Sequence, residues 1–330
     1  MIAVAVPPDL RALFFPADVW RRLEDLGEVG VMPGDVGDPA AFARFVAAAE
    51  VVVTSWDCPP VDERVLAAAP GLALVAHTGA SLRPFATAAA FARGVRFTQA
   101  GAAMAHAVAE QALTLTLALL HRVHRFDHAL RSGAPWEVAK QAPPRRELRD
   151  CPVGVIGASR TGRAYIRLVR ALGARVVVTD PHLSAADAAE LGVRAVPLDQ
   201  LLQGSRAVAL HAPVLPETRG MIGARELALL ADGAVLVNTA RSALLDTRAL
   251  LQEVRAGRID AALDVFDEEP LPVGDAFRGL PNVLLTPHEA GGTREARRRG
   301  GETVVDEIAR FLAGRPLEHE VTPQALALMG

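Results

Sequence analysis

Three stretches of the chain carry groups suited to holding an anion and moving a proton. They are "VNTARSALLD" around Arg241, "ALDVFDEEPLP" around Glu269 and "NVLLTPHEAGG" around His288. A guanidinium grips a carboxylate, or polarises a carbonyl, through planar charge-assisted hydrogen bonds. An imidazole gives a proton to a forming alkoxide and takes it back in the reverse direction. A carboxylate beside the imidazole orients it and favours its protonated form. Such a set equips a protein to reduce a 2-oxo acid, provided a cofactor supplies the hydride. Taken singly, each residue has a plainer reading. A loop arginine is usually a solvated charge, and a lone histidine is usually structural. "DEEP" is an acidic turn in which Asp267 or Glu268 serves as well as Glu269.

A hydride source is suggested by "VGVIGASRTGR" at 153–163. The register Gly157-Ala158-Ser159-Arg160-Thr161-Gly162 approaches G-x-G-x-x-G, in which the first glycine makes a tight turn. The second lets backbone approach a pyrophosphate, and the third lets helix and strand pack closely. Serine stands at the middle position, where its hydroxyl can donate to a phosphate oxygen, and the helix N-terminus still offers amides. The next apolar run ends in Asp180, an acidic residue placed to bind a ribose and repel a 2′-phosphate. The expected cofactor is therefore NAD, with NADP less favoured.

These residues need a scaffold. From residue 151 onward "VGVIG", "RVVVTD", "AVALHAP", "AVLVNTA", "AALDVF" and "NVLLTPH" read as strands apolar on both faces, with helical patterns such as "GRAYIRLVRALG" between them. That alternation predicts an α/β fold with a doubly wound parallel sheet. Several of the runs end in a polar residue, namely Asp180, His211, Asn238 and His288, where such sheets bind ligands. A weaker form of the rhythm precedes residue 100, with strands at "IAVAV", "EVVVTSW" and "LALVAHTG" and helices at 38–50 and 61–69. Single long helices are predicted over 102–125 and 293–313.

Composition excludes several classes. With 22% charged residues, a net charge of −3 and a single Tyr, the 330-residue chain lacks the basic, aromatic surface of a nucleic-acid binder. Two distant cysteines, Cys58 and Cys151, give neither a disulfide framework nor metal-ligand spacing, and they suit a reduced, cytoplasmic protein. The N-terminal "MIAVAVPPDL" reads as a first strand and not a signal peptide. The apolar stretch 102–120 holds His106, Glu110, Gln111, Thr114 and Thr116 and reads as a buried helix, not a membrane span.

Together the motifs resemble the D-isomer-specific 2-hydroxyacid dehydrogenases. The strings that carry the resemblance are "VGVIGASRTGR", "VTDP", "LHAPVLPETRGMIG", "VNTARSALLD", "GRIDAALDVFDEEPLP" and "NVLLTPHEAGGT", dense over about 148–293, with "AVAEQALTLTLALL" extending it backward. The resemblance implies two Rossmann-like or flavodoxin-like domains. A cofactor domain at 102–299 would be inserted into a split substrate domain at 1–101 and 300–330. It implies that Arg241 binds substrate, that His288 is the acid/base and that Glu269 is its partner. Gly157, Ser159, Arg160, Thr161 and Gly162 would meet the pyrophosphate, and Asp180 the ribose. Ala212, Thr239 and Asp264 would line the nicotinamide side, the cofactor surface also taking in His211, Ala240, Arg241, His288 and Gly291. The implied partners are a small 2-oxo or 2-hydroxy acid and a second copy of the chain, paired through the cofactor domains.

The sequence also departs from the family pattern. Ser159 replaces a glycine, and "ARS" stands where "ARG" is usual. Glu289 follows the histidine, directed either toward it or to solvent. The substrate loop reads "HTGASLRPF". Gly79 and Ala80 there still offer amides to a carboxylate, and Arg83 would add a positive charge. His106 is expected near the substrate or packed between domains. A formate dehydrogenase of the same superfamily is disfavoured, since that branch carries Gln where Glu269 stands. A dinucleotide-sensing protein of corepressor type is the alternative to an enzyme.

Overall fold

The computed structural model describes residues 1–141, 143–327 and 329. The chain divides into two units, Met1–Met104 with Gly292–Gly330, and Ala105–Gly291. The divisions fall at 104/105 and 291/292, where 101/102 and 299/300 are expected from sequence.

The first unit is built on five parallel strands: β1 (Ile2–Ala5), β2 (Val29–Val31), β3 (Val51–Thr54), β4 (Leu74–His77) and β5 (Arg96–Gln99), in the order β2-β1-β3-β4-β5. Strands β1, β3 and β4 are buried throughout, which explains their unbroken apolar runs. Sequence reading misses β2 and β5. The first is only three residues with a central glycine, and the second carries polar residues that satisfy a buried acid. Thr98 donates to the Glu307 carboxylate (2.9 Å), which also accepts from the backbone N–H groups of Glu318 and His319.

The second unit holds seven parallel strands: β6 (Pro152–Ile156), β7 (Arg175–Thr179), β8 (Arg194–Ala195), β9 (Ala207–Leu210), β10 (Val235–Asn238), β11 (Asp260–Leu263) and β12 (Val283–Leu285). Their order, β12-β11-β10-β9-β6-β7-β8, reverses direction at β6, so the crevice beyond the carboxyl ends of β6 and β9 is the topological switch point. The two doubly wound parallel sheets are those predicted.

The helix Gly101–Leu120 is long and apolar enough to cross a membrane, and half of that stretch is buried. Ala109, Ala112, Thr116 and Leu119, spaced three and four apart, form its fully or nearly fully buried face, and the Thr116 hydroxyl bonds the Tyr165 hydroxyl at 2.8 Å. The predicted helix 102–125 is not continuous. It breaks at Arg122, whose φ is 57°, and a second helix runs Val123–Arg131. Neither Gly nor Pro marks the break. Arg122 is 3% exposed and is turned inward to pair with Asp260 at the start of β11.

Candidate active site

The glycine turn leads from β6 into the helix Arg160–Ala171. Gly157 has φ 95°, and a Cβ there would lie 2.5 Å from the Ala212 backbone nitrogen. A Cβ on Gly162 would lie 2.1 Å from the Gly157 carbonyl oxygen. Both ends of the fingerprint thus require glycine. The middle does not. Ser159 has φ −60° and ψ 176°, and its Oγ caps the helix by accepting from the Gly162 N–H at 3.2 Å. The hydroxyl proton stays available to an anion, and Arg160 and Thr161 bring the first helical amides to the same end.

Asp180 follows β7. Its carboxylate accepts from the Ala158 N–H (2.6 Å) and the His182 N–H (2.8 Å), one donor on each oxygen. Each oxygen keeps further lone-pair capacity for a ribose hydroxyl. The turn, the helix end and this carboxylate fit a dinucleotide. His211 follows β9 beside this turn. Its ring is buried, lies 4.9 Å from the Tyr165 ring, and is held neutral because burial pushes its pKa down to about 3. Its backbone and that of Ala212 closely approach Gly157, and its Cβ lies 3.2 Å from where a Cβ on Gly162 would be. Thr239 and Ala240 follow β10 and Gly291 ends the unit. The Thr239 Oγ1 is buried with no hydrogen-bond partner among the described residues.

The reactive trio gathers at the carboxyl ends of β10, β11 and β12. Asn238, the last residue of β10 and fully buried, brackets the turn: its Nδ2 donates to the Arg241 carbonyl (2.9 Å) and its Oδ1 accepts from the Ala240 N–H (3.0 Å). This positioning role is missed from sequence, although the polar strand end points to it. Burial draws the Arg241 guanidinium below the usual arginine value, and the Glu269 charge opposes that shift. Ser242 has no left-handed φ, so serine serves where glycine is usual.

Of the three acids in "DEEP", the geometry selects Glu269. Its Oε1 accepts the Phe266 N–H at 2.9 Å, which fixes the side chain, and its Oε2 lies 2.6 Å from His288 Nδ1. A carboxylate only accepts, so Nδ1 carries the proton of that bond and Nε2 is left for chemistry. His288 is held at φ 53°, in the left-handed region. For a residue with a Cβ this costs about 1–3 kcal/mol, sustained by its surroundings. The surroundings here are Asp264. Fully buried, it accepts from the Thr286 hydroxyl (2.5 Å), the Glu289 N–H (3.2 Å) and the Ala290 N–H (3.0 Å). Desolvation pushes its pKa up against those three donors. Asp264 therefore shapes the His288 turn from within and presents no exposed carboxylate. Glu289 is exposed and is not without a partner.

Two further residues singled out from the sequence have partners within the first unit or along their own helix. Arg83 does not stand free beside the loop amides of the first unit: its guanidinium donates to the carbonyls of Met329 (2.5 Å) and Ala327 (3.0 Å). His106 is exposed and pairs with Glu110 one helical turn away (3.1 Å). Among the described residues no group of three or more His, Cys, Asp or Glu could hold a metal.

Residues 113–290 match the family described as D-isomer specific 2-hydroxyacid dehydrogenase, NAD binding domain. The D-3-phosphoglycerate dehydrogenase of Mycobacterium leprae is 37% identical over 271 residues, 82% of this chain and 50% of that protein. The glyoxylate reductase of Aeropyrum pernix is 34% identical over 77% of this chain and 78% of its own length. A solved structure, the TT0316 protein of Thermus thermophilus, superposes with a TM-score of 0.83 at 30% identity, covering 97% of this chain and 99% of that one. The chain spans about half the length of the phosphoglycerate dehydrogenases it matches. With the matched region holding the glycine turn, Asp180 and the Arg241–Glu269–His288 set, the chain belongs to the D-isomer specific 2-hydroxyacid dehydrogenase family.

Proposed function

We propose that the protein reduces a small 2-oxo acid to the D-2-hydroxy acid, and catalyses the reverse oxidation, with NAD(H) as cofactor. The observation that carries this reading is the 2.6 Å contact between His288 Nδ1 and Glu269. It aims a proton-bearing imidazole from a strand end beside a half-buried Arg241. A bound reduced nicotinamide supplies the hydride, which goes to C2. Arg241 holds the substrate carboxylate and polarises the carbonyl; in the first unit, the Gly79 and Ala80 backbone amides are the groups suited to a carboxylate. His288 Nε2 delivers a proton to the carbonyl oxygen as the C–H bond forms, and Glu269 stabilises the imidazolium before transfer. Gly157, Ser159, Arg160, Thr161 and Gly162 hold the pyrophosphate. Asp180 holds the ribose and disfavours a 2′-phosphate, which supports NAD over NADP.

The test is loss of reduced-nicotinamide absorbance with glyoxylate, hydroxypyruvate, pyruvate, oxaloacetate, 2-oxobutyrate and phenylpyruvate. Turnover with NADH exceeding that with NADPH is the expected result. NADH binding without turnover on any of the acids would sink the reductase reading in favour of a sensor.

A homodimer formed through the second unit belongs to the same reading. Val123, Leu130, Trp136 and Val138 are 46–66% exposed on the helices Val123–Arg131 and Trp136–Ala139. An apolar patch of this kind marks an association surface. Sedimentation equilibrium is expected to give twice the chain mass, and Trp136→Asp to shift it toward the monomer. A monomeric wild type would refute the assignment. Two buried free thiols, Cys58 and Cys151, the former with its pKa pushed up to about 11 by burial, suit the cytoplasm, where we place the protein.

A further inference from the structure

In the first unit the strand order reverses between β1 and β3, so its own ligand crevice opens at their carboxyl ends. Trp56 stands there, two residues beyond β3 and 43% exposed. It is fixed on three sides. The Phe14 ring lies 5.8 Å away, the His77 ring 6.3 Å away, and the Gly79 backbone rests on the indole edge. A Cβ on Gly79 would lie 2.7 Å from both Trp56 Nε1 and His77 Nε2. The exposed part of the indole is thus a fixed apolar wall next to the Gly79–Ala80 amides.

Formal charge at this edge is scarce. The segments leaving β1, β3 and β4 (6–7, 55–60 and 78–85) contain two charged residues, Asp57 and Arg83. Arg83 is committed to the Met329 and Ala327 carbonyls. His77 is fully buried, and burial pushes its pKa down to about 3, so it is neutral. On the helix Arg294–Leu312, which packs on β4, Arg299 donates to the Ala103 carbonyl, and Arg297 is engaged as well. A phosphate or second carboxylate set against the indole would give up hydration to an apolar surface, where an apolar group would be covered.

We propose that Trp56 selects the substrate's side chain. It favours 2-oxo acids whose third carbon carries an uncharged apolar group over those carrying a phosphate or a carboxylate. The proposal rests on the 2-oxo-acid reading of the loop amides. The test is calorimetric titration of the full chain, with and without NAD⁺, using phenylpyruvate, 3-phosphooxypyruvate and glyoxylate, followed by kinetics on the same acids. Phenylpyruvate is expected to bind at least about tenfold more tightly than the phosphorylated acid, the scale of selection a hydrophobic pocket provides. Trp56→Ala removes that advantage and leaves glyoxylate within about twofold, while Trp56→Phe retains most of it. The proposal is overturned by equal or tighter binding of the phosphorylated acid, by binding of neither, or by an equal loss on glyoxylate and phenylpyruvate in Trp56→Ala. Preferential binding without turnover would defeat the reductase reading and leave the selection standing. Turnover with the preference reversed would do the opposite.

Discussion

Replacing His288 with alanine is expected to lower kcat by about 10²–10⁴-fold, the usual contribution of a positioned acid/base, with little change in the KM for the 2-oxo acid. The reason is geometric. Nδ1 is committed to Glu269 at 2.6 Å, so Nε2 is the ring atom left to deliver the proton. Glu269→Gln tests the same arrangement more finely. Both oxygens of Glu269 accept, one from the Phe266 N–H and one from the imidazole. Glutamine has one acceptor oxygen. If it stays with Phe266, the amide NH₂ faces Nδ1 and forces the proton to Nε2 of a neutral ring, a far weaker acid than imidazolium. The expected kcat lies between wild type and His288→Ala. Arg241→Ala should act mainly on KM, and Arg241→Lys should recover it only in part, because the ammonium lacks the planar fork. Single-turnover measurement with NADH and the best 2-oxo acid separates these steps. A His288→Ala protein retaining more than about a tenth of wild-type kcat would exclude the histidine as the proton donor.

How far this set is visible before folding depends on how local its causes are. The strands β6, β9, β10 and β11 announce themselves because burial on both faces makes each one apolar, and β7 and β12 are read from apolar runs although they are only partly buried. Gly157 and Gly162 are legible because a Cβ at either place would strike backbone. The choice of Glu269 over Asp267 and Glu268 is not legible. An irregular loop has no period, and what fixes Glu269 beside His288 is the Phe266 N–H. Ser159 looks like a defect in a motif and proves to be a helix cap at an ordinary φ. Arg83 suggests a substrate cation, yet its partners are carbonyls about 245 positions further along the chain. The two segments read correctly as short helices, Pro39–Phe45 and Glu63–Ala68, each carry an aspartate cap, a local signal. The break at Arg122 has none, because its cause lies 138 residues away at Asp260.

That distant pairing carries the largest expected effect on stability. Asp260, 2% exposed at the start of β11, accepts from Arg122 Nη1 and, at 3.0 and 2.6 Å, from Arg125 Nε and Nη2, with His124 Nε2 at 3.2 Å. Asp260→Ala leaves Arg122 buried with its charge uncompensated, which costs about 3–5 kcal/mol. At about 2–4 °C per kcal/mol for a unit of this size, the melting temperature should fall by roughly 6–20 °C. Adding Arg122→Met should restore part of the loss, since removing both charges removes the orphan. The pair also predicts an acid limit. Burial pushes the Asp260 carboxyl up, but the His124 and Arg125 hydrogen bonds and the Arg122 and Arg125 charges outweigh it and hold the pKa at about 2. The folded value lies below the unfolded one of about 3.9. This contribution is therefore complete above pH ~4 and is lost as the pH falls toward 2. Calorimetric scans from pH 7 to 2 should show wild-type stability dropping through that window and Asp260→Asn lacking that component. A melting-temperature change under about 2 °C in Asp260→Ala would mean that Arg122 finds water or another acceptor. The break between the two helices would then owe nothing to Asp260. A larger fall would extend to the site, because β11 runs from Asp260 directly to Asp264, the carboxylate that shapes the turn holding His288.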